Sequence, residues 1–434
     1  MRAKLWVAAA LIALSGCGEQ NQPGQQGGAA PSSESAADAQ AAALRAGATD
    51  PRVAHFYEAH GWHTAWTPQT EADLLRAIGA ADQHGLDKSA FLGPVQQTHS
   101  AGAHDAALSL AALSYAEALA RGRTDPTRLS RAYTLPRPNP DLAAGLADAL
   151  THGQVAAWLA SLAPQDAEYR ALSQAYIEAN NQVVAAHGNP PASLLARART
   201  LAVNLERRRW LERTPPPTRI DVNTGAALLS YWRGGQLADS RRVVVGEQGR
   251  ETPELAAPLF RLVANPTWTV PHSIESEVSS PASMRRHHME WRNGSIVQAS
   301  GPTNSLGLVK FDLRDDQQIY LHDTPAKSLF NRTDRHASHG CVRVSDALGF
   351  AAMIAADENV SDDWDRARAT GEESFVPIAH AIPVRLLYQT AYLDNGRIVI
   401  VPDVYGWDED VAEALGLPPR ARPTASAHGQ DIGP

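Results

Sequence analysis

Cys341 and His322 are the two side chains whose types and spacing point most directly to nucleophilic chemistry. The cysteine lies in Ser338-His339-Gly340-Cys341-Val342-Arg343-Val344, a polar setting, whereas a structural cysteine behaves as a small hydrophobe and sits among apolar neighbours. Gly340 permits a tight turn before the sulfur, and a thiolate near a helix start, Arg343 and imidazoles has its charge stabilised, as a nucleophile requires. His322, nineteen positions earlier, is the candidate base. In Gln318-Ile319-Tyr320-Leu321-His322 the apolar residues alternate with Tyr320 and His322, so the histidine projects from the polar face of a strand. Asp323-Thr324-Pro325 ends that strand and leaves chain enough for a loop to bring imidazole and thiol together. The order, histidine before cysteine, is opposite to that of papain-like enzymes, and the separation is far below the roughly 50 residues of caspases. Taken alone, such a histidine would read as structural.

Other chemistries find no support. The four lysines (Lys4, Lys88, Lys310, Lys327) have no serine three positions earlier, which excludes a Ser-x-x-Lys acyltransferase. Gly-x-Ser-x-Gly, His-Glu-x-x-His and phosphate-loop motifs are absent. His55, His60 and His63, and the pair His287-His288, lack the further ligands that a four-ligand metal site needs. Asp315-Asp316 and Asp362-Asp363 read as solvated turns rather than paired catalytic carboxylates. With 39 basic against 47 acidic side chains and a net charge of −8, nucleic acid is not the expected partner. Two cysteines in 434 residues do not make a disulfide framework.

The elements that must position this pair fall into two halves. Residues 51–215 are rich in Ala, Leu and Arg at helical spacing, as in Leu74, Leu75 and Ile78, and Pro215-Pro216-Pro217 closes them off. Residues 216–417 carry short strand-like runs at 219–223, 227–232, 241–245, 259–264, 318–322, 384–391 and 397–401, with turn signals Arg233-Gly234-Gly235 and Asp394-Asn395-Gly396. One helix is expected over 346–356, N-capped by Ser345. The fold class expected is therefore α+β and multidomain, with an all-α domain followed by a mostly antiparallel β domain that has a helix after the cysteine.

The ends read as addresses and tethers. Arg2 and Lys4 precede the apolar run 5–14, too short for a span of about 20 residues and suited to a signal peptide over 1–16. Leu14-Ser15-Gly16-Cys17 resembles a bacterial lipobox, with Cys17 carrying a lipid anchor. Residues 17–50, rich in Gln, Gly, Ala, Ser and Pro, are expected to form a flexible tether reaching on the order of 30 Å, and 418–434 a disordered tail. The expected location is the periplasmic cell envelope. Gly18 lacks the aspartate associated with inner-membrane retention, which favours the outer membrane.

The segment His322-Asp323-Thr324-Pro325, followed by Arg335-His336-Ala337-Ser338-His339-Gly340-Cys341-Val342-Arg343, resembles the signature of the L,D-transpeptidase catalytic domain. Asn265-Pro266-Thr267-Trp268-Thr269-Val270-Pro271, Asn304-Ser305-Leu306-Gly307-Leu308-Val309-Lys310-Phe311 and Val404-Tyr405-Gly406 are similar to its large YcbB-like subgroup, as are Phe56-Tyr57-Glu58-Ala59-His60-Gly61-Trp62 and His84-Gly85-Leu86-Asp87 to that subgroup's scaffold domain. The resemblance implies acyl transfer on peptidoglycan stem peptides: Cys341 as nucleophile, His322 as base oriented by the Asp323 carbonyl, and backbone N–H groups at Gly340 and Cys341 as oxyanion donors. It further implies Ser338, His339, Arg343, Tyr320 and Trp268 as substrate-binding residues, although Trp268 reads equally well as core. It implies no cofactor and no metal, and a carbapenem adduct at Cys341. The subgroup's peptidoglycan-binding module does not fit between Tyr169-Arg170 and 194–211, and the segment 272–303 resembles a shortened capping insertion. Two other readings stay open: an L,D-carboxypeptidase or endopeptidase that gives the same thioester to water, and a non-catalytic envelope scaffold.

Overall fold

The computed structural model describes residues 33–129 and 132–419. Its first half is helical: α1 (Ser33–Gly47), α2 (Pro51–Ala59), α3 (Pro68–Gly79), α4 (Ser89–Gln96), α5 (Ala101–Arg121), α6 (Pro126–Leu129), α7 (Leu142–His152), α8 (Val155–Leu162), α9 (Ala167–Ala185) and α10 (Ala192–Trp210). The centre is α5, started by the Ser100 side chain accepting from the Ala103 N–H and ended at Gly122 with φ +85°. Its alanines and leucines bury nearly all round, because α1, α2, α3, α4, α7, α8 and α10 surround it. The tether expected over 17–50 is corrected from residue 33 onward, while 17–32 lie outside the described residues. Ser33–Gly47 is a helix whose Leu44 enters the core, and it lies so close to α5 that a Cβ on Gly102 would sit 2.7 Å from Ala43 Cβ. Alanine helix propensity, backed by packing, outweighs the low apolar content. The signal peptide, Cys17 and nearly all of the 418–434 tail lie outside the described residues.

The second half contains β1 (Arg219–Asn223), β2 (Leu228–Arg233), β3 (Gln236–Gly246), β4 (Ala256–Ala264), β5 (Trp268–Thr269), β6 (Met289–Arg292), β7 (Ser295–Gln298), β8 (Val309–Leu313), β9 (Leu321–His322), β10 (His336–Ser338), β11 (Val342–Val344), β12 (Ser374–Leu387), β13 (Ala391–Asp394) and β14 (Arg397–Ile400). Nine strands form one sheet in the order β10-β3-β11-β9-β8-β4-β12-β1-β2, and a further β2–β3 pairing closes it into a ring with β10 outside. Pairing is mostly antiparallel, with parallel contacts at β1–β12, β3–β10 and β9–β11. The closed side of the sheet buries Val309, Phe311, Leu321, Val342, Val344, Leu262, Val243 and Val245 against α13 (Ala347–Asp357) and α14 (Ser361–Ala369). A smaller sheet β5-β7-β6, with α11 (Glu275–Val278) and α12 (Pro281–Arg286), forms the insertion expected over 272–303.

Two local expectations change. The strand read over 318–322 is only Leu321–His322, because the Asp315 carboxylate accepts from the N–H groups of Gln317 and Ile319 and Gln318 takes φ +59°. The cap of α13 is Asp346, which accepts from Gly349 N–H, while Ser345 N–H still donates to Arg242 O as an extension of the sheet.

After β12 the chain returns to the helical half. The β13–β14 hairpin, turned at Asn395 (φ +47°) and Gly396 (φ +77°), packs on α9, and α15 (Trp407–Ala414) packs on α10. At that seam Arg207 pairs with Asp408, both buried, and Asp408 also accepts from Thr390 Oγ1 at 2.8 Å. Asn204 and Thr390 exchange two bonds, of 2.8 and 3.0 Å. Removing one partner of a buried ion pair strands the other charge. Arg207→Ala is therefore expected to lower the unfolding free energy by about 3–5 kcal/mol in denaturant titration. Arg366→Ala, which breaks the exposed pair with Asp363, should change it by under about 0.5 kcal/mol.

Candidate active site

Strand register brings the sequence-identified pair together. In β9–β11, Arg343 lies opposite His322 and Val342 opposite Leu321, and the Val342 N–H donates to Tyr320 O at 3.1 Å. Cys341 therefore lies beside Tyr320. Since side chains two apart share a face, Cys341, Arg343, Tyr320 and His322 project together while Leu321 and Val342 enter the core. In β8–β9, Lys310 lies opposite His322, which adds Lys310 and Asp312 to the same face. The polar alternation read at Tyr320 and His322 thus survives although the regular strand is shorter than expected.

His322 is fully buried, and its Nδ1 lies 2.5 Å from the Asp323 carbonyl oxygen. A carbonyl can only accept, so Nδ1 carries the proton and Nε2 presents the lone pair in the neutral ring. Asp323 is itself held: its carboxylate accepts from Leu308 N–H at 3.1 Å and pairs with Lys327. Gly307, with φ +63°, leaves room for this arrangement, because a Cβ there would fall 2.3 Å from Asp323 Oδ2.

The nucleophile loop is held just as closely. Ser338 Oγ donates to Cys341 O at 2.6 Å, and Gly340 takes φ +117°, a conformation that suits glycine. Cys341 is 6% exposed, with its sulfur 3.8 Å from Gln318 O. Burial pushes its thiol up to about 11. The Tyr320 N–H and side chain favour the anion, as do the charges of Lys310 and Arg343, but they do not offset the loss of water. Burial likewise raises the Tyr320 hydroxyl well above its usual range, with the Cys341 charge acting in the same direction. Lys310 Nζ sits 4.4 Å from the Tyr320 ring centre and pairs with Asp312 at 2.7 Å.

The smaller sheet covers this face. Its apolar cluster, Trp268, Val270, Ile274, Val278, Met289, Ile296 and Leu306, packs on Tyr320. On α11, Glu277 reaches His339 Nε2 at 3.2 Å and pairs with Arg250. Burial would raise the Glu277 carboxyl, but its bonds to Arg250 and His339 hold it below the usual range.

Several expected roles change in consequence. Trp268, 1% exposed, is part of the cap's core and has no face free to stack on a substrate. Ser338 and Arg343 are wholly buried, like His322; the Ser338 hydroxyl braces the loop and the Arg343 charge favours the Cys341 anion. The Gly340 N–H points to Ser338 Oγ at 3.3 Å, and as an oxyanion donor it is already engaged. Tyr320 and His339 remain at the cap boundary. Lys310 and Glu277 join the site without having been singled out, since only register brings Lys310 to His322 and only the cap's fold brings Glu277 to His339. Among the described residues no three His, Cys, Asp or Glu side chains converge as a metal site.

The chain is similar to known proteins in both halves. Residues 217–367 match the family profile of the L,D-transpeptidase catalytic domain and residues 51–175 that of a scaffold domain. A Haemophilus influenzae protein whose name assigns it provisionally to the L,D-transpeptidases is 28% identical over 404 residues, covering 83% of this chain and 79% of its own. Among solved structures, a mutant of an Enterococcus faecium L,D-transpeptidase is 11% identical, covering 41% of this chain and 53% of its own, with a TM-score of 0.24. An L,D-transpeptidase in complex with imipenem is 14% identical, covering 39% and 59%, with a TM-score of 0.22. The chain spans little more than half the length of these two solved chains.

With the thiol raised to about 11, the thiolate fraction grows as pH rises. Alkylation of Cys341 by iodoacetamide, followed by peptide mass mapping, should accelerate about tenfold per pH unit between roughly pH 7 and 10. A rate already level at neutral pH would reveal a resting thiolate.

Proposed function

We propose that the chain, whose residues 217–367 match the L,D-transpeptidase catalytic domain behind a match to a scaffold domain, transfers acyl groups between peptidoglycan stem peptides through Cys341. The observation that carries this reading is the β9–β11 register, which sets Cys341 and His322 on one face with the imidazole held by the Asp323 carbonyl. Because the thiol is protonated at neutral pH, the proton leaves as the sulfur attacks. His322 Nε2 takes it while Cys341 Sγ bonds to the carbonyl carbon of the diaminopimelate residue that precedes the terminal D-Ala. The Cys341 N–H faces the developing oxyanion, a type of contact whose loss costs about 3–4 kcal/mol in comparable acyl transfer. The C–N bond then breaks, the imidazolium protonates the departing D-Ala amine, and a thioester remains.

An amine of a second stem attacks that thioester. His322 takes the amine proton, the sulfur leaves, and a direct cross-link between two third-position residues forms. Hydrolysis by water is the competing outcome and would make the chain a carboxypeptidase or endopeptidase. Burial of Cys341 beneath the cap limits water at the sulfur and supports aminolysis. A lipid anchor at Cys17 would hold this activity in the envelope, facing the wall, and the lack of an aspartate at Gly18 favours the outer membrane.

Purified chain incubated with tetrapeptide muropeptides is expected to yield dimers lighter than two tetrapeptide monomers by one free D-Ala, resolved by mass. Tripeptide monomers with no dimer would sink cross-linking and leave hydrolysis. Cys341→Ala should abolish both products, and His322→Ala should lower turnover by roughly 10²–10⁴-fold. A carbapenem should add its full mass to Cys341 and to nothing else in the chain.

A further inference from the structure

Thr252, which no motif singles out, lies behind the nucleophile's own peptide bond. Its hydroxyl, fully buried, donates to the Gly340 carbonyl at 2.8 Å and accepts from the Gly246 N–H at 2.9 Å. The Gly340 carbonyl belongs to the peptide whose other end is the Cys341 N–H. In a trans peptide the two groups point in opposite directions, so holding the oxygen fixes where the N–H aims. A bond to the carbonyl also polarises that N–H.

The surroundings hold Thr252 in this place. Gly246 ends β3 so close to the returning chain that a Cβ would sit 2.2 Å from Arg250 O and 2.6 Å from Thr252 N. The Tyr405 hydroxyl donates to Gly246 O at 2.7 Å and accepts from Thr252 N–H at 3.4 Å. Tyr405 stacks on Tyr388, with ring centres 5.0 Å apart, and the Arg207 guanidinium lies 5.0 Å from the Tyr388 ring centre. A continuous set of contacts therefore runs from α10 of the helical half to the peptide at Cys341.

We propose that Thr252 is a positioning residue for acyl transfer, aiming the Cys341 N–H at the developing oxyanion, with Tyr405 holding Thr252 in register. This rests on reading that N–H as the oxyanion donor. Its signature is a loss of acylation without a loss of thiol reactivity, because alkylation develops no oxyanion and a general loosening of the loop would affect both.

The test compares Thr252→Val, which keeps the shape and loses the hydroxyl, with Thr252→Ser, which keeps the hydroxyl. Acylation of the full chain by a carbapenem, timed by intact mass, and iodoacetamide alkylation of Cys341 are measured alongside thermal melting. For Thr252→Val we expect acylation to slow roughly 10- to 100-fold with alkylation within about twofold of the parent, and Thr252→Ser to restore acylation to within about threefold. Thr252→Val acylating at the parent rate would overturn the proposal. So would parallel losses in acylation and alkylation, or a serine variant no better than the valine one. Carbapenem acylation does not depend on the natural substrate, so failure of the parent chain to use stem peptides would count against the substrate reading alone.

Discussion

The parallel pairing of two very short strands, β9 and β11, is the constraint on which the rest of the site depends. Two register pairs and the bond from Val342 N–H to Tyr320 O determine which way four functional side chains point. A slip of one residue would bury Cys341 and His322 among valines and turn Val342 and Leu321 outward. So short a pairing has little stability of its own. It is held in register by its neighbours, with β8 and β3 hydrogen-bonded on either side and α13 packed against the apolar face.

Closure of that face has two opposing effects. The cap and Tyr320 exclude water from the sulfur, which would protect the proposed thioester from hydrolysis but raises the cost of the thiolate. Lys310 and Arg343 supply positive charge nearby, yet burial prevails and the thiol stays protonated at neutral pH. In the proposed reaction the proton would therefore leave as the sulfur attacks, and the fixed tautomer of His322 suits that step. Glu277 ties the cap to the nucleophile motif through its contact with His339 and to Arg250 by charge, and the ion pair weakens with salt more readily than the buried contacts do.

The helical half does more than hold the catalytic half at a distance. Its last long helix buries Arg207 against Asp408, beyond the end of the sheet, and the aromatic group of Tyr388, Tyr405 and Trp407 fills the space between that pair and the nucleophile loop. The chain crosses between the halves twice, once at the prolines and once after β12, which makes the two hard to separate without exposing buried charge.

Much of this was legible in the chain itself. Ala and Leu at helical spacing, turn residues such as Asn395-Gly396, and the polar run around Cys341 each act over a few neighbours, and such local preferences predicted the two halves and the hairpin and singled out a candidate nucleophile and base. Where local signals competed, the reading failed: the alanine-rich segment at 33–47 was expected to be tether and is helix, because its packing on α5 is not visible in composition. Burial was also out of reach. Trp268, Ser338 and Arg343 have the chemistry of substrate contacts, but the cap and the strand neighbours enclose them. Residue type determined which groups could act as nucleophile and base. Strand register and the fold of the cap, which depend on contacts between residues far apart in sequence, decided which of them meet, which are shielded from water, and that Lys310, Glu277 and Thr252 stand beside them.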